Sequence, residues 1–420
     1  MANMMFNGCD TVKLAEKYGT PLYLMDENHI IDRITEIKKE FLEKYEGTRA
    51  VYASKAFLTL EMARIIKREG IGIDVVSLGE LYTAIKAEFP MERVVFHGNN
   101  KSENEIEMAV NNGVGRIVID HIDEIEMVDR IAGKAEKKAK VIFRISPGIE
   151  SHTHKYIMTG QVDSKFGIPL TDETIKIAML KVNESDNLQL MGFHFHIGSQ
   201  LMDNQTHIKA VDVIFNLMKK LKEEYGFVTK ELNTGGGYGI QYVNGQERRP
   251  IGYYTDSIMK EVILKSNEYG LEMPEVTIEP GRWIVGEAGI TLYSVGAIKR
   301  IPGIRTYVSV DGGMPDNPRP SLYEAQYKGI LANKFKEEPS EKITVAGKCC
   351  ETGDILIWDL MVPKIEKGDI LAVMSTGAYN YSMASNYNRI PRPPVIMIRD
   401  GMDRVIVKRE TLEDLLRNDV

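Results

Sequence analysis

Lys55 ends the run Val51-Tyr52-Ala53-Ser54-Lys55-Ala56-Phe57, where an apolar, β-prone stretch gives way to a helical pattern. A lysine at such a strand end can project into a sheltered pocket. Desolvation there lowers its pKa and makes the amine a nucleophile for Schiff-base chemistry. Most lysines are solvated surface charges, so the residue alone decides little. Three later runs give it weight by their order: Phe195-His196-Ile197-Gly198-Ser199, then Thr234-Gly235-Gly236-Gly237, then Glu279-Pro280-Gly281-Arg282. Each run stands at the end of a predicted strand.

The separate groups indicate what the chemistry would be. In Thr234-Gly235-Gly236-Gly237-Tyr238-Gly239 the missing Cβ atoms let backbone N–H groups close on a phosphate. A plain glycine turn is the simpler reading of that run by itself. The spacing is neither Gly-x-Gly-x-x-Gly nor a Walker sequence with its lysine, which weighs against a dinucleotide or ATP. Arg282 can clamp the same phosphate bidentately, and Ser199 is placed to bond one. His194 and His196 fall on one face of a strand. No carboxylate or cysteine stands at ligand spacing beside them, so a buried, hydrogen-bonded pair is preferred to a metal site. His196 can instead stack on a flat aromatic ligand. Glu279 is either half of an ion pair or the partner of a protonated ring nitrogen. A protonated pyridine is an electron sink for a carbanion at a substrate α-carbon.

A second set lies further on. Asp311-Gly312-Gly313-Met314-Pro315-Asp316-Asn317-Pro318-Arg319-Pro320 is irregular and polar, and Arg319 can bind a carboxylate. Gly347-Lys348-Cys349-Cys350-Glu351 presents a thiol beside a carboxylate. Vicinal cysteines without a second pair do not make a zinc site. An inert buried cysteine is the default, and proton donation by Cys350 is the sharper reading. Gly377-Ala378-Tyr379 offers a phenol next to a glycine, a slight signal alone.

These residues need a scaffold. Short β-prone runs alternate with amphipathic helical runs between about residues 49 and 282. Eight strands are predicted, near 49–53, 72–76, 93–97, 116–120, 140–145, 190–196, 230–235 and 275–280. Helical patterns between them include 59–69, 78–88, 103–111, 122–138 and 205–225; in the last, Ile208, Val211, Ile214, Phe215 and Met218 share a face. Such alternation predicts a parallel sheet, closed as a (β/α)8 TIM-type barrel or open and doubly wound. In a barrel the chemistry sits at the C-terminal strand ends. Those ends hold Lys55, Asp74, His97, Asp120, Arg144, His196, Gly235–Gly237 and Glu279–Arg282.

After about residue 283 the pattern becomes strands punctuated by turns at Asp311-Gly312-Gly313, Lys367-Gly368-Asp369 and Arg399-Asp400-Gly401. Strands are predicted over 290–300, 306–310, 342–346, 370–374, 395–399 and 405–408, as a mostly antiparallel, sandwich-like β domain. The run 21–26 is expected to join it, ahead of a first long helix over 28–45. The predicted division is thus a barrel over 27–283, and a β domain from 1–26 and 284–420. The polar stretch 149–167 is expected to form an active-site loop.

Composition bounds the partners. The 420 residues are 43% hydrophobic and 27% charged, an ordinary globular balance. A net charge of −7 argues against nucleic-acid or membrane-surface binding. No apolar run spans a bilayer, no signal peptide is evident, and three cysteines make no disulfide framework. A cytoplasmic protein is expected.

With these motifs assembled, the chain resembles the diaminopimelate decarboxylases, which are pyridoxal 5'-phosphate (PLP) decarboxylases of the alanine-racemase-like fold type. The resemblance runs from about Gly19 to Val407, through Tyr-Ala-Ser-Lys-Ala, Phe-His-Ile-Gly-Ser-Gln, Thr-Gly-Gly-Gly, Glu-Pro-Gly-Arg, Asp-Gly-Gly-Met-x-Asp-Asn-Pro-Arg-Pro, Cys-Glu-x-Gly-Asp and Gly-Ala-Tyr. Phe57 stands where many relatives have asparagine. The resemblance implies that Lys55 links covalently to PLP, His196 stacks on its ring and Glu279 pairs with its ring nitrogen. It implies a phosphate site from Ser199, Gly236, Gly237 and the backbone from Glu279 to Arg282, Gly281 included, with Tyr379 also touching the cofactor. Arg282, Arg319 and Tyr323 would bind the substrate's distal carboxylate, Glu351 its distal ammonium, and Cys350 would return a proton after carbon dioxide leaves. Cys350 and Glu351 would come from the neighbouring subunit of a homodimer. The implied reaction converts meso-diaminopimelate to L-lysine; the alternative is decarboxylation of another amino acid such as ornithine or arginine. A relative acting on ornithine needs only acids at the far end, so Arg319 favours diaminopimelate.

Overall fold

The computed structural model describes residues 3–149 and 163–420. Most of the stretch expected to form an active-site loop, residues 150–162, lies outside the described residues. The chain divides into two compact units. One comprises residues 34–239 and 248–281, and the other residues 1–33, 240–247 and 282–420.

The first unit is a closed barrel of eight parallel strands: Thr48–Ala53, Gly72–Val75, Val94–Phe96, Arg116–Ile119, Ala139–Ser146, Leu188–His194, Glu231–Asn233 and Glu275–Ile278. Each pairs in parallel with its neighbours, and Glu275–Ile278 returns to Thr48–Ala53 to close the ring. All eight are where the alternation of apolar runs and helical periods predicts them. Val51, Val95, Val118 and Ile142 meet inside the barrel. Closure is preferred to an open sheet because it leaves no unpaired edge in a sheet buried on both faces.

The connecting helices start and stop on local signals. Thr59 caps Leu60–Glu69 by accepting from Met62 N at 3.1 Å, and Gly70 ends it in the left-handed conformation. Ser102 and Glu105 form a reciprocal capping box on Glu103–Asn112. Each such cap is worth about 1 kcal/mol. The helix expected over 28–45 is shorter: it runs Glu27–Ile37 and then widens into a π-type turn, Lys38–Leu42, with Phe41 buried. Two further helices, Asp172–Asn183 and Ile251–Tyr269, did not stand out by periodicity. Ile177, Leu180, Ile263 and Leu264 are exposed on them, which blurs the apolar stripe.

The second unit is built on one 13-residue strand, Gly289–Ile301. It pairs antiparallel with Leu22–Asp26, Arg305–Val310 and Ile370–Val373. The N-terminal run is therefore a strand of this sheet, as expected. Val395–Arg399 adds in parallel to Leu22–Asp26, and Met402–Val407 follows it antiparallel. On the other side Glu341–Ala346 pairs in parallel with Arg305–Val310 and antiparallel with Ile355–Val362. Leu22, Leu24, Ile290, Leu292, Ile396 and Ile398 form its core with Met4 and Leu14. No helix among the described residues is long and apolar enough to cross a membrane.

Candidate active site

Glu279 follows the eighth barrel strand and is buried. Its Oε1 accepts from His97 Nε2 and from Asn233 Nδ2, each at 2.7 Å, and its Oε2 lies 3.3 Å from His194 Nε2. Burial by itself raises a carboxyl pKa. Here His97 and His194 outweigh it and hold Glu279 well below the usual carboxylate range. Burial pushes the His194 pKa down to about 3. The result is a buried carboxylate anion with fixed orientation, a partner for a protonated ring nitrogen. His97, His194 and Glu279 also bring three ligand-type atoms within 4.8 Å of one another, but hydrogen bonds already join them. The carboxylate that sequence spacing did not place near His194 arrives from 85 residues away.

Next to this cluster the glycine run makes a cradle. A Cβ on Gly235, Gly236 or Gly237 would lie 2.5, 2.1 or 2.3 Å from the carbonyl oxygens of Phe195, Glu279 and Gly198 respectively. Only glycine permits that approach, and Gly235 and Gly237 have φ of +66° and +99°. Gly236 N donates to His196 Nδ1 at 3.4 Å, and Gly236 O faces His207 Nε2 at 3.0 Å. Leu201 N bonds Gly237 O at 2.8 Å, which holds the turn containing half-buried Ser199 against the cradle. A Cβ on Gly281 would lie 2.7 Å from Ala53 Cβ, so Gly281 abuts the end of the first strand. The triple glycine thus makes the close backbone turn that an anion nest requires, with His196 bonded to Gly236 N and Ser199 in the adjoining turn.

Lys55 sits in a single turn, Ser54–Ala56, just past that first strand. Its side chain is exposed. Ser54 and Ala56 on either side of it are buried, and the Lys55 charge acts on His196, Asp74 and Glu80. Neighbours distinguish this amine. Asp74, buried, accepts from Ser54 N at 2.9 Å. Burial, then Glu279, raise the Asp74 carboxyl well above its ordinary range, while Lys55 opposes the shift. The ends of the fourth and fifth strands add buried Asp120 and Arg144, whose guanidinium stacks 4.3 Å over Phe166.

The second unit holds the other expected groups. Arg319 begins the short helix Arg319–Tyr323 and is 7% exposed. Its Nη1 donates to Tyr242 Oη at 3.1 Å and to Tyr327 Oη at 2.5 Å. Arg319 has no carboxylate partner among the described residues. Arg282 Nη1 donates to the same Tyr242 oxygen at 2.5 Å, and its guanidinium lies 4.7 Å from the Tyr379 ring centroid. Tyr379 has φ of +64°, a strained conformation for a tyrosine. Tyr323 ends its helix half-buried. Arg282 and Arg319 therefore meet at Tyr242, with Tyr379 against Arg282; sequence reasoning missed Tyr242 together with Tyr327, Asn233 and any role for His97.

The loop bearing Arg319 is fixed by two acids. Asp316 accepts from Gly313 N at 2.9 Å and bonds the Tyr293 hydroxyl, and burial raises its carboxyl to about 7. Asp354 accepts from Met314 N at 2.7 Å and Cys349 N at 2.9 Å, tying that loop to the cysteine pair. Burial, then Asp354, push the Cys349 thiol up to about 12. Cys350 is exposed, with its N–H on Asn388 Oδ1 at 2.9 Å. Glu351 is exposed and accepts from Tyr387 Oη at 3.3 Å.

A tight glycine cradle, a buried carboxylate able to face a ring nitrogen and a lysine at neighbouring strand ends fit the phosphate, pyridine and aldehyde of PLP. Known proteins bear this out. The family pattern "Pyridoxal-dependent decarboxylase, pyridoxal binding domain" matches residues 27–286. The diaminopimelate decarboxylases of Halalkalibacterium halodurans and Bacillus subtilis are 47% and 46% identical, over 100% of this chain and 95% of theirs. The crystal structure of diaminopimelate decarboxylase from M. jannaschii in complex with L-lysine is 34% identical with a TM-score of 0.92, covering 100% of this chain and 98% of that one. Cofactor, fold and full-length likeness agree, and the chain belongs to the pyridoxal-dependent decarboxylases, in the group of the diaminopimelate decarboxylases.

Proposed function

We propose that the protein decarboxylates meso-diaminopimelate to L-lysine and carbon dioxide with PLP as cofactor. The observation that carries the substrate is Arg319, a buried cation whose partners are two phenols and no carboxylate among the described residues. A buried charge without a counter-charge is costly, so the site is built to receive an anion. Diaminopimelate brings one to the end remote from the reaction.

Lys55 would hold PLP through its amine, and the backbone of Gly236, Gly237 and Gly281 would hold the phosphate with Ser199 and Arg282. His196 would stack on the ring, Glu279 would keep the ring nitrogen protonated, and Tyr379 would also contact the cofactor. When bound, PLP supplies a protonated pyridine that accepts the electron pair freed as the Cα–carboxylate bond breaks. Arg282, Arg319 and Tyr323 bind the distal carboxylate and Glu351 the distal ammonium. This fixes which of the two amino-acid ends reacts. Cys350 then gives its proton to the α-carbon, and the C–H bond replaces the bond to carbon dioxide.

Cys350 and Glu351 act from the neighbouring subunit of a homodimer. Their exposure on a single chain supports that reading. On this reading residues 27–283 make up the PLP-binding barrel, and residues 1–26 and 284–420 make up the β domain that completes the active site.

The test is release of carbon dioxide and lysine from meso-diaminopimelate by the purified protein, with and without added PLP. PLP-dependent release of both, absent with ornithine and arginine, supports the assignment. Turnover of ornithine in preference to meso-diaminopimelate would overturn it.

A further inference from the structure

Tyr242 lies in the segment 240–247, which interrupts the barrel sequence yet belongs to the second unit. It is 7% exposed. Its backbone is pinned where Tyr242 N and Val243 N donate to Gln246 Oε1 at 2.9 and 3.4 Å. Its phenol oxygen accepts from Arg282 Nη1 at 2.5 Å and from Arg319 Nη1 at 3.1 Å. Its ring centroid lies 5.7 and 5.0 Å from the same two guanidiniums.

Two guanidiniums this close repel each other, more strongly in a buried site than in water. A phenol oxygen has two lone pairs and can accept from both. The ring face adds cation–π attraction to each. Burial raises the phenol pKa, but Arg282 and Arg319 together bring it below its ordinary value, so the oxygen carries acceptor character. Tyr327 shares the load on one side only: it accepts from Arg319 at 2.5 Å and packs edge-to-face on Tyr242 with centroids 5.4 Å apart.

We propose that Tyr242 is a positioning residue for the distal carboxylate of the substrate: its oxygen holds Arg282 and Arg319 side by side, so that both guanidiniums meet one carboxylate. The inference rests on the proposed function, in which those two arginines bind that group.

The experiment compares two ligands of the PLP-loaded enzyme, L-lysine and 1,5-diaminopentane. Both have two amines at the same spacing, and only lysine keeps the distal carboxylate. Binding is read from the change in PLP absorbance, in wild type and in Tyr242→Phe, which keeps the ring and removes the oxygen. Lysine binding weakens about tenfold and diaminopentane binding stays within about twofold. With meso-diaminopimelate, most of the loss in kcat/KM falls in KM. A merely structural tyrosine would weaken both ligands alike; that result, or unchanged lysine binding, overturns the proposal. Should Tyr242→Phe not fold, Tyr242→Gln supplies an oxygen without a ring. Retained preference for lysine then supports the proposal, and its loss overturns it. Failure of wild type to turn over meso-diaminopimelate tells against the proposed function instead, because the lysine comparison is a binding measurement.

Discussion

The side-chain amide of Asn233 donates to Glu279 Oε1 at 2.7 Å while its oxygen accepts the N–H of Gly235 at 3.0 Å. One amide thus fixes both the buried Glu279 carboxylate, proposed to pair with the cofactor ring nitrogen, and the first glycine of the run proposed to hold its phosphate. Asn233→Asp keeps the acceptor for Gly235 but sets a second carboxylate against Glu279, and two such groups do not both ionise. PLP affinity should fall about 10- to 100-fold, on the scale of a lost hydrogen bond to a buried charge. Asn233→Ala, which removes both bonds, should fall at least as far. Equilibrium titration with PLP, followed by absorbance, checks this; unchanged affinity in both variants would reduce Asn233 to packing.

Arg319 separates stability from activity. A structural buried arginine is destabilising to remove, because it leaves its carboxylate unpaired. Arg319 leaves only two phenols behind. Arg319→Met should therefore melt at the wild-type temperature or above it. Its kcat/KM for meso-diaminopimelate should drop about 100-fold or more, the worth of a charge-assisted pair. A thermal melt together with a decarboxylation assay decides. A sharp loss of stability would mean that Arg319 holds the fold.

The eight barrel strands and the N-terminal strand of the sheet were legible because each is a short apolar run bounded by its own turn or cap. Strand Ile355–Val362 was not. It is an edge strand with Trp358 and Met361 exposed, Asp359 at φ +52° and two register shifts against Glu341–Ala346, so its alternation is broken. The chemistry at strand ends was legible for the same reason as the strands. Partners brought from afar were not: Asn233 and Glu279 are 46 residues apart, Tyr242 and Arg319 are 77.

His207 gives a pH dependence with a definite sign. It is buried, stacks on Tyr238 with ring centroids 5.3 Å apart, and faces Gly236 O under the cradle. Burial holds its pKa at about 4, against an ordinary value of 6.5. Its stabilising contribution is complete above 6.5 and is lost as pH falls from there toward 4, because the unfolded chain takes up the proton first. The loss reaches about 3 kcal/mol. His29, at about 4, and His194, at about 3, act with the same sign. Asp316, raised to about 7, has the opposite sign: its contribution is complete below 3.8 and fades as pH rises through 7. Comparing His207→Phe with wild type isolates the one group. Urea midpoints at pH 7 and pH 5 should fall less in the variant, and an identical fall in both would refute the assignment.

Lys55 and Cys350 belong to different units of the chain, and the proposed function has them serve one reaction from two subunits. Lys55→Ala should abolish turnover and the borohydride-fixed cofactor adduct. Cys350→Ala should abolish turnover but keep the adduct. Mixed after subunit exchange, the two inactive proteins form hybrid dimers in which one of the two sites has both residues. Random pairing makes about half the dimers hybrid, so about a quarter of wild-type activity should return. Differently tagged subunits report the exchange itself. Proven exchange without recovered activity would mean that each subunit uses its own Cys350. The exposed Cys350 and Glu351 would then need another role.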